Sequence, residues 1–245
     1  MDILYIVIPA YNEAENIAAC VNGWYPIAER FGGEGSRLVV VDDGSKDQTL
    51  SILNDLAKDR PLLVPLTKEN GGHGSAVLHG YRYAIESGAD FIFQTDSDGQ
   101  TNPNEFEAFW EERNRYDALI GSRAKRGDGA ARAFVEKVAC LLLRVYFGVK
   151  VPDANAPFRL MRTETVKQYI GRLPKDFNIP NIMFTAYFAH DRVKLKFIPI
   201  SFRPRQRGTN SINVKRIVKI GWRSMRDFGK LRKEMNGCRV GNEEK

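Results

Sequence analysis

The sequence predicts an α/β protein with a mainly parallel central sheet flanked by helices. Three observations carry that prediction. Short apolar, β-branched runs alternate with stretches of helical spacing. The loops between them are short, as βαβ units require. Polar groups gather where the runs end, which is where ligands sit in an open parallel sheet.

The elements follow in order. ILYIVIP (3–9) is a buried strand stopped by proline, and NEAENIAACVNGWYPIAERF (12–31) is a helix with an acidic first turn. RLVVVDDGS (37–45) is a second strand ending in turn residues, followed by a helix over 46–59 and a third strand at 61–66. ENGGHGSAVLHGYRYAIESG (69–88) is a glycine-rich turn running into a helix. FIFQTD (91–96) is a fourth strand, EFEAFWEERNRY (105–116) a helix and DALIGSR (117–123) a fifth strand. The pattern then changes to a long amphipathic helix over 131–148, an irregular stretch over 151–164 and one more strand over 193–205. With no repeat and no low-complexity linker, the expectation is one domain over 1–211 with two functional halves, 1–120 and 121–211. A basic amphipathic helix over 212–235 and a disordered tail over 236–245 complete the organisation.

Composition bounds the function. A chain of 245 residues that is 43% hydrophobic suits an ordinary globular core. Cys20, Cys140 and Cys238 are too few and too scattered for a disulfide framework or a metal-ligand spacing, so a cytoplasmic setting is expected. No signal peptide and no spanning helix are expected, because Asp2 opens the chain and no apolar run is long enough. Charge is segregated. Residues 1–120 hold 9 Lys/Arg and 20 Asp/Glu, a net of 9 − 20 = −11, and residues 121–245 hold 28 and 10, a net of +18. The second half favours anions.

The strand tips carry the chemistry. FIFQTDSDGQTNP ends a buried strand in Asp96 and Asp98, which repel each other unless a cation stands beside them. Hard divalent ions take such oxygen ligands, and Gln100 adds a neutral one. The bland reading is a solvated turn, but the acidic tip VVVDDGS nearby favours a metal–nucleotide site. NGGHGSA (70–76) lacks the pattern of a P-loop, and its glycines fit a tight turn or close packing better than a phosphate cradle. His73 and His79 fit structural or exposed roles.

IVIPAYNEAENI, LVVVDDGSKDQT, GADFIFQTDSDGQTNP, IGSR and DANAPFRLMR, in that order, resemble glycosyltransferase family 2, nearest its dolichyl- or polyprenyl-phosphate sugar transferases. The similarity covers about residues 3–215. It implies the GT-A nucleotide-diphospho-sugar transferase fold, an inverting mechanism, a nucleotide-sugar donor and Mg²⁺ or Mn²⁺. It implies that Pro9, Tyr11 and Glu13 form the first nucleotide-binding segment, with Val40 and Asp42 as a base-binding pair. Asp96, Ser97 and Asp98 match the D-x-D element, with Asp96, Asp98 and Gln100 as the metal set. Arg123 looks like a phosphate or donor contact, and Arg205 matches the arginine of a basic loop over the diphosphate. Relatives carry a lysine six residues later; here that position is Ser211, with Arg207 as a substitute.

The implied reaction moves a hexose from a UDP- or GDP-sugar to polyprenyl phosphate, a nucleophile that needs no general base. A glycan hydroxyl acceptor needs one, and Asp153 is then the candidate. Asp98, Arg123, Asp153 and Arg205 are thus the expected catalytic set. A non-catalytic nucleotide-sugar-binding protein is a further alternative. The helix over 212–235 carries 8 basic and 2 acidic residues, and the helix over 130–147 mixes Arg132, Lys137 and Arg144 with apolar residues. Such helices fit peripheral contact with the inner face of a membrane, and equally a surface helix packed on its own domain. No nucleic-acid-binding pattern is present, and the acidic half repels a long polyanion.

Overall fold

The structure is a computed structural model, and it describes residues 1–126 and 130–204, without the side chains of 124–133. The strands are β1 (Leu4–Ala10), β2 (Arg37–Asp42), β3 (Leu63–Thr67), β4 (Phe91–Gln94), β5 (Ala118–Arg126), β6 (Arg159–Arg162) and β7 (Leu195–Phe202). The helices are α1 (Ile17–Phe31), α2 (Thr49–Ala57), α3 (His73–Glu86), α4 (Phe106–Glu112), α5 (Ala130–Phe147), α6 (Thr163–Ile170) and α7 (Pro180–His190). The segment over 212–235 and the tail over 236–245 lie outside the described residues.

One seven-stranded sheet in the order β3-β2-β1-β4-β6-β5-β7 runs through both halves of the chain. Every pairing is parallel except those of β6, which is antiparallel to both β4 and β5. The strand order reverses between β1 and β4, so a crevice opens there at the carboxyl ends.

Alternation along the strands builds two cores. Leu4, Ile6 and Ile8 of β1, Leu38 and Val40 of β2 and Phe91 and Phe93 of β4 join α1, α2 and α4 on one face. Tyr5, Val7, Val39, Val41 and Ile92 join α3, α5, α6 and α7 on the other. Continuous apolar runs are thus the mark of strands covered on both sides. Phe93 anchors the first core, with ring centroids 5.1 Å from Trp24, 4.9 Å from Phe106 and 4.7 Å from Phe158.

Two expectations are corrected. The helix expected from residue 12 begins only at Ile17. The amides of Asn12, Glu13 and Ala14 instead donate to Ser45 Oγ, Thr49 Oγ1 and Asp47 Oδ2, and Asn12 takes a positive φ. The acidic turn is therefore laced to the loop after β2. The stretch expected to be irregular holds β6 and the start of α6. At four residues with arginine at each end, β6 offers no apolar run to read. Helix α7 is buried from Pro180 to Phe188, so it shows no amphipathic period.

The glycines of NGGHGSA serve close packing. A Cβ on Gly74 would fall 2.6 Å from the carbonyl carbon of Asn178, backbone that cannot rotate away. Gly74→Ala should therefore cost about 1–3 kcal/mol of stability, read as a lower denaturant midpoint with an unchanged m-value.

Candidate active site

Register brings the expected residues to one rim. Ala10 pairs with Asp42, and Asp42 with Thr67, at the ends of β1, β2 and β3. Val7 pairs with Gln94, and Gln94 with Arg159, which also pairs with Ile120. Asp96 is two residues past Gln94 and Arg123 three past Ile120. Because β6 runs antiparallel, the segment that enters it, with Asp153, lies at the same end. Tyr11, Asp42, Asp96, Asp98, Arg123 and Asp153 thus share the carboxyl rim.

On the donor side Tyr11 is exposed and Pro9 is buried in β1. Glu13 is buried, and its Oε2 accepts from Asn16 Nδ2 at 2.7 Å. Asp42 is also buried and accepts from the Ser45 amide and the Thr67 hydroxyl. The side chain of Val40, expected to pair with Asp42 at the base, lies in the core. Asp43, not singled out by sequence, organises the next loop. Its carboxylate accepts from Lys68 Nζ at 2.7 Å and from the amides of Gly71 and Gly72 at 3.0 and 2.7 Å. The N–H groups of the glycine-rich turn are thereby occupied from within.

The D-x-D turn stands beside them. Asp96 is half-buried, with His73 Nε2 3.8 Å from its Oδ1. The Gln100 amide donates to Asp98 Oδ1 at 3.1 Å, and Gly99 takes a positive φ, so the chain reverses directly behind the carboxylates. Ser97 is buried between the two aspartates. The Cys20 thiol beneath the turn is pushed up by burial and then by the charges of Asp98, Glu13 and Asp96. Gln100 is buried, its side-chain Nε2 donates to Arg203 O at 2.7 Å, and its backbone carbonyl accepts from the Arg203 amide, so it ties the turn to the end of β7.

Among the described residues no group of three or more His, Cys, Asp or Glu side chains forms a metal cage. Two carboxylates on one turn still fit Mg²⁺ or Mn²⁺, which draw their remaining ligands from phosphate and water.

The other side of the rim centres on Arg123, and here the structure adds two residues that sequence reasoning missed. Arg123 Nε and one terminal nitrogen grip Asp153 at 2.7 and 2.8 Å, a bidentate pair almost closed to solvent. The same nitrogen reaches Glu136 Oε2 at 2.9 Å, and Glu136 Oε1 accepts from the Ala154 amide. The Phe202 ring lies 5.2 Å from the guanidinium carbon. Asp153, the candidate base for a glycan hydroxyl acceptor, is held here in an ion pair with Arg123. Burial and then the Asp153 charge raise the Glu136 carboxyl, whereas hydrogen bonds from Arg123 hold Asp153 low against its own burial. The second addition is Arg159, wholly buried, which donates to the carbonyls of Ala156 and Asn181 and to Thr185 Oγ1. Its charge acts on both Asp153 and Asp96. Glu136 left no signal beyond its place on an amphipathic helix, whereas Arg159 lay inside a quoted motif. Arg205, Arg207 and Ser211 lie outside the described residues.

Residues 5–170 match the family described as Glycosyl transferase family 2. Among curated relatives, an undecaprenyl-phosphate 4-deoxy-4-formamido-L-arabinose transferase of Pectobacterium atrosepticum is 25% identical over 88% of this chain. The chain spans 64% of that relative's length. An undecaprenyl-phosphate mannosyltransferase of Micrococcus luteus is 26% identical, over 84% of this chain and 86% of its own. Among solved structures, glucosyl-3-phosphoglycerate synthase from Mycobacterium tuberculosis, in complex with Mn²⁺, UDP-glucose and glycerol 3-phosphate, superposes with a TM-score of 0.68. It is 17% identical, over 94% of this chain and 80% of that one. TarS 1–349 of S. aureus with UDP-GlcNAc gives 0.62 at 20% identity, over 89% of this chain and 64% of that one.

The paired carboxyls imply opposite responses to pH. The stability that Asp153 contributes is present above the ordinary carboxylate range and lost as pH falls through its lowered value. That from Glu136 is present at acid pH and lost as pH rises through its raised value. Glu136→Gln removes only the second loss. Its melting temperature relative to wild type should therefore climb as pH rises from the ordinary carboxylate range through the raised Glu136 value. A constant offset in thermal melts would show that Glu136 does not titrate.

Proposed function

Because this chain belongs to glycosyltransferase family 2 and has the GT-A fold of its structural neighbours, we propose that it moves a hexose, with inversion, from a UDP- or GDP-sugar to polyprenyl phosphate. The observation that carries the reading is the Asp96/Asp98 pair on a tight turn at the point where the strand order reverses. The names of the relatives support the lipid-phosphate acceptor.

Each group has a role in this reading. Tyr11 offers an exposed ring to the base, with Asp42 beneath it. Asp96 and Asp98 hold Mg²⁺ or Mn²⁺, which when bound neutralises the diphosphate that leaves. Pro9, Glu13 and Ser97 shape the pocket from below through the backbone. Arg205 brings a further positive charge from the chain beyond Pro204. Arg123 meets the acceptor phosphate, whose negative charge competes with Glu136 for the same guanidinium nitrogen. The acceptor oxygen is already an anion at neutral pH, so no side chain has to remove a proton before it attacks the sugar carbon.

A second reading, transfer to a glycan hydroxyl, draws on the carboxyl at Glu136. Burial and then the Asp153 charge raise it above the ordinary carboxylate range, and Arg123 and the Ala154 amide hold it in place. One assay separates the two: labelled UDP- and GDP-sugars with a short polyprenyl phosphate. Labelled lipid supports the first reading, and labelled oligosaccharide without labelled lipid supports the second.

Under either reading Asp98→Ala should weaken Mn²⁺-dependent binding of the nucleoside diphosphate about tenfold or more, ~1.4 kcal/mol, without lowering the melting temperature. Calorimetry checks this, and an unchanged affinity would remove the pair from the donor site.

A further inference from the structure

Seven large apolar side chains stand exposed among the described residues, and five of them belong to one helix. They are Phe134, Val135, Val138, Leu141 and Val145 of α5, with Phe134, Leu141 and Val145 more than half exposed. At about 100° per residue, Phe134, Val138, Leu141 and Val145 fall within about 60° of one another. The stripe extends for about 16 Å along the helix. The opposite side carries Leu143 and Phe147 into the core and Glu136 to Arg123. Scattered exposed apolar residues are ordinary, but a continuous stripe marks a surface that meets something.

Charge says what it meets. Lys137 and Arg144 are exposed along one edge of the stripe, and Lys150 lies just past its end. Glu136 is the only acidic residue of α5, and it is turned inward. The outer face therefore combines apolar side chains with positive charge alone, as a helix lying in an anionic lipid interface does. Among the described residues no helix is long and apolar enough to cross a membrane, so contact through this helix is made from one side.

We propose that the outer face of α5 docks on an anionic bilayer. Phe134, Val138, Leu141 and Val145 sit at the acyl boundary, and Lys137 and Arg144 among the headgroups. The proposal deepens the lipid-phosphate reading and rests on it for the acceptor. α5 is about 10 Å thick with its side chains, so Arg123, Asp153 and Glu136 then stand one helix diameter behind the headgroup plane. A phosphate at the membrane surface comes within reach of Arg123 while its tail stays in the bilayer.

The test uses the full-length protein and the double variant Leu141→Glu/Val145→Glu, whose positions are exposed and absent from the core. Flotation is measured with phosphatidylglycerol-rich and with pure phosphatidylcholine vesicles, beside nucleoside diphosphate affinity, melting temperature and sedimentation. Wild type should float with the anionic vesicles, less so as salt rises. The variant should lose at least about tenfold of that binding and keep its nucleotide affinity and melting temperature. Equal flotation of the two proteins would overturn the proposal and assign any lipid contact to another part of the chain. A wild-type dimer that the variant turns into monomer, with neither binding vesicles, would overturn it in favour of a second copy. A fall in melting temperature without loss of flotation would mean that the chain covers the stripe itself, and would also overturn it. Transfer to a water-soluble short-chain polyprenyl phosphate tests the acceptor separately: no transfer by either protein removes the lipid-phosphate reading, whatever the vesicles show.

Discussion

A wholly buried guanidinium holds the two halves of the site together. Arg159 sits on the one antiparallel strand, between the strand that delivers Asp96 and the strand that delivers Arg123. Taking an isolated charge out of water is costly, and the cost is met only when every donor is engaged. Here the carbonyls of Ala156 and Asn181 and the hydroxyl of Thr185 satisfy it, so the loop after Asp153 and helix α7 are drawn to one point. Without the side chain the carbonyls of Ala156 and Asn181 lose a charged donor together, and with it goes a tie between the loop after Asp153 and helix α7.

Arginine and carboxylate alternate across the acceptor side in the same spirit. Arg123 would be an awkward charge under the Phe202 ring without Asp153, and Asp153 would be neutralised by burial without Arg123. Glu136 joins as the third member and carries the mismatch, since one guanidinium cannot fully compensate two carboxylates in a shielded place. The donor side is built differently. What holds its carboxylates in place is largely backbone: the Asp98 turn, the Asn12–Ala14 lacing and the Gln100–Arg203 tie.

The first five strands were legible because a strand covered on both faces is a continuous apolar run, and ILYIVIP, RLVVVD and FIFQ are such runs. β6 was not, because its identity comes from neighbours far away in sequence and not from its four residues. Helix α7 was hidden for the converse reason: a helix buried all round has no polar face to give it a period. At the site, Asp96 and Asp98 could be found because two like charges at the tip of an apolar strand need an explanation. Glu136 could not, because its importance lies in a side chain 13 residues from Arg123 that only folding brings to it. Val40 and Gln100 each stand where a motif puts them, and what position could not tell is that one side chain points into the core and the other fastens the chain to β7.

The occupied glycine turn has one more implication. Many nucleotide sites offer phosphate the bare amides of a helix end. In this fold Asp43 already lies against the amides of Gly71 and Gly72. Their donor capacity is spent inside the fold, and the carboxylate that spends it is itself neutralised by Lys68. An anion entering the crevice therefore finds no vacant helix end here and has to take its positive partner from elsewhere on the rim.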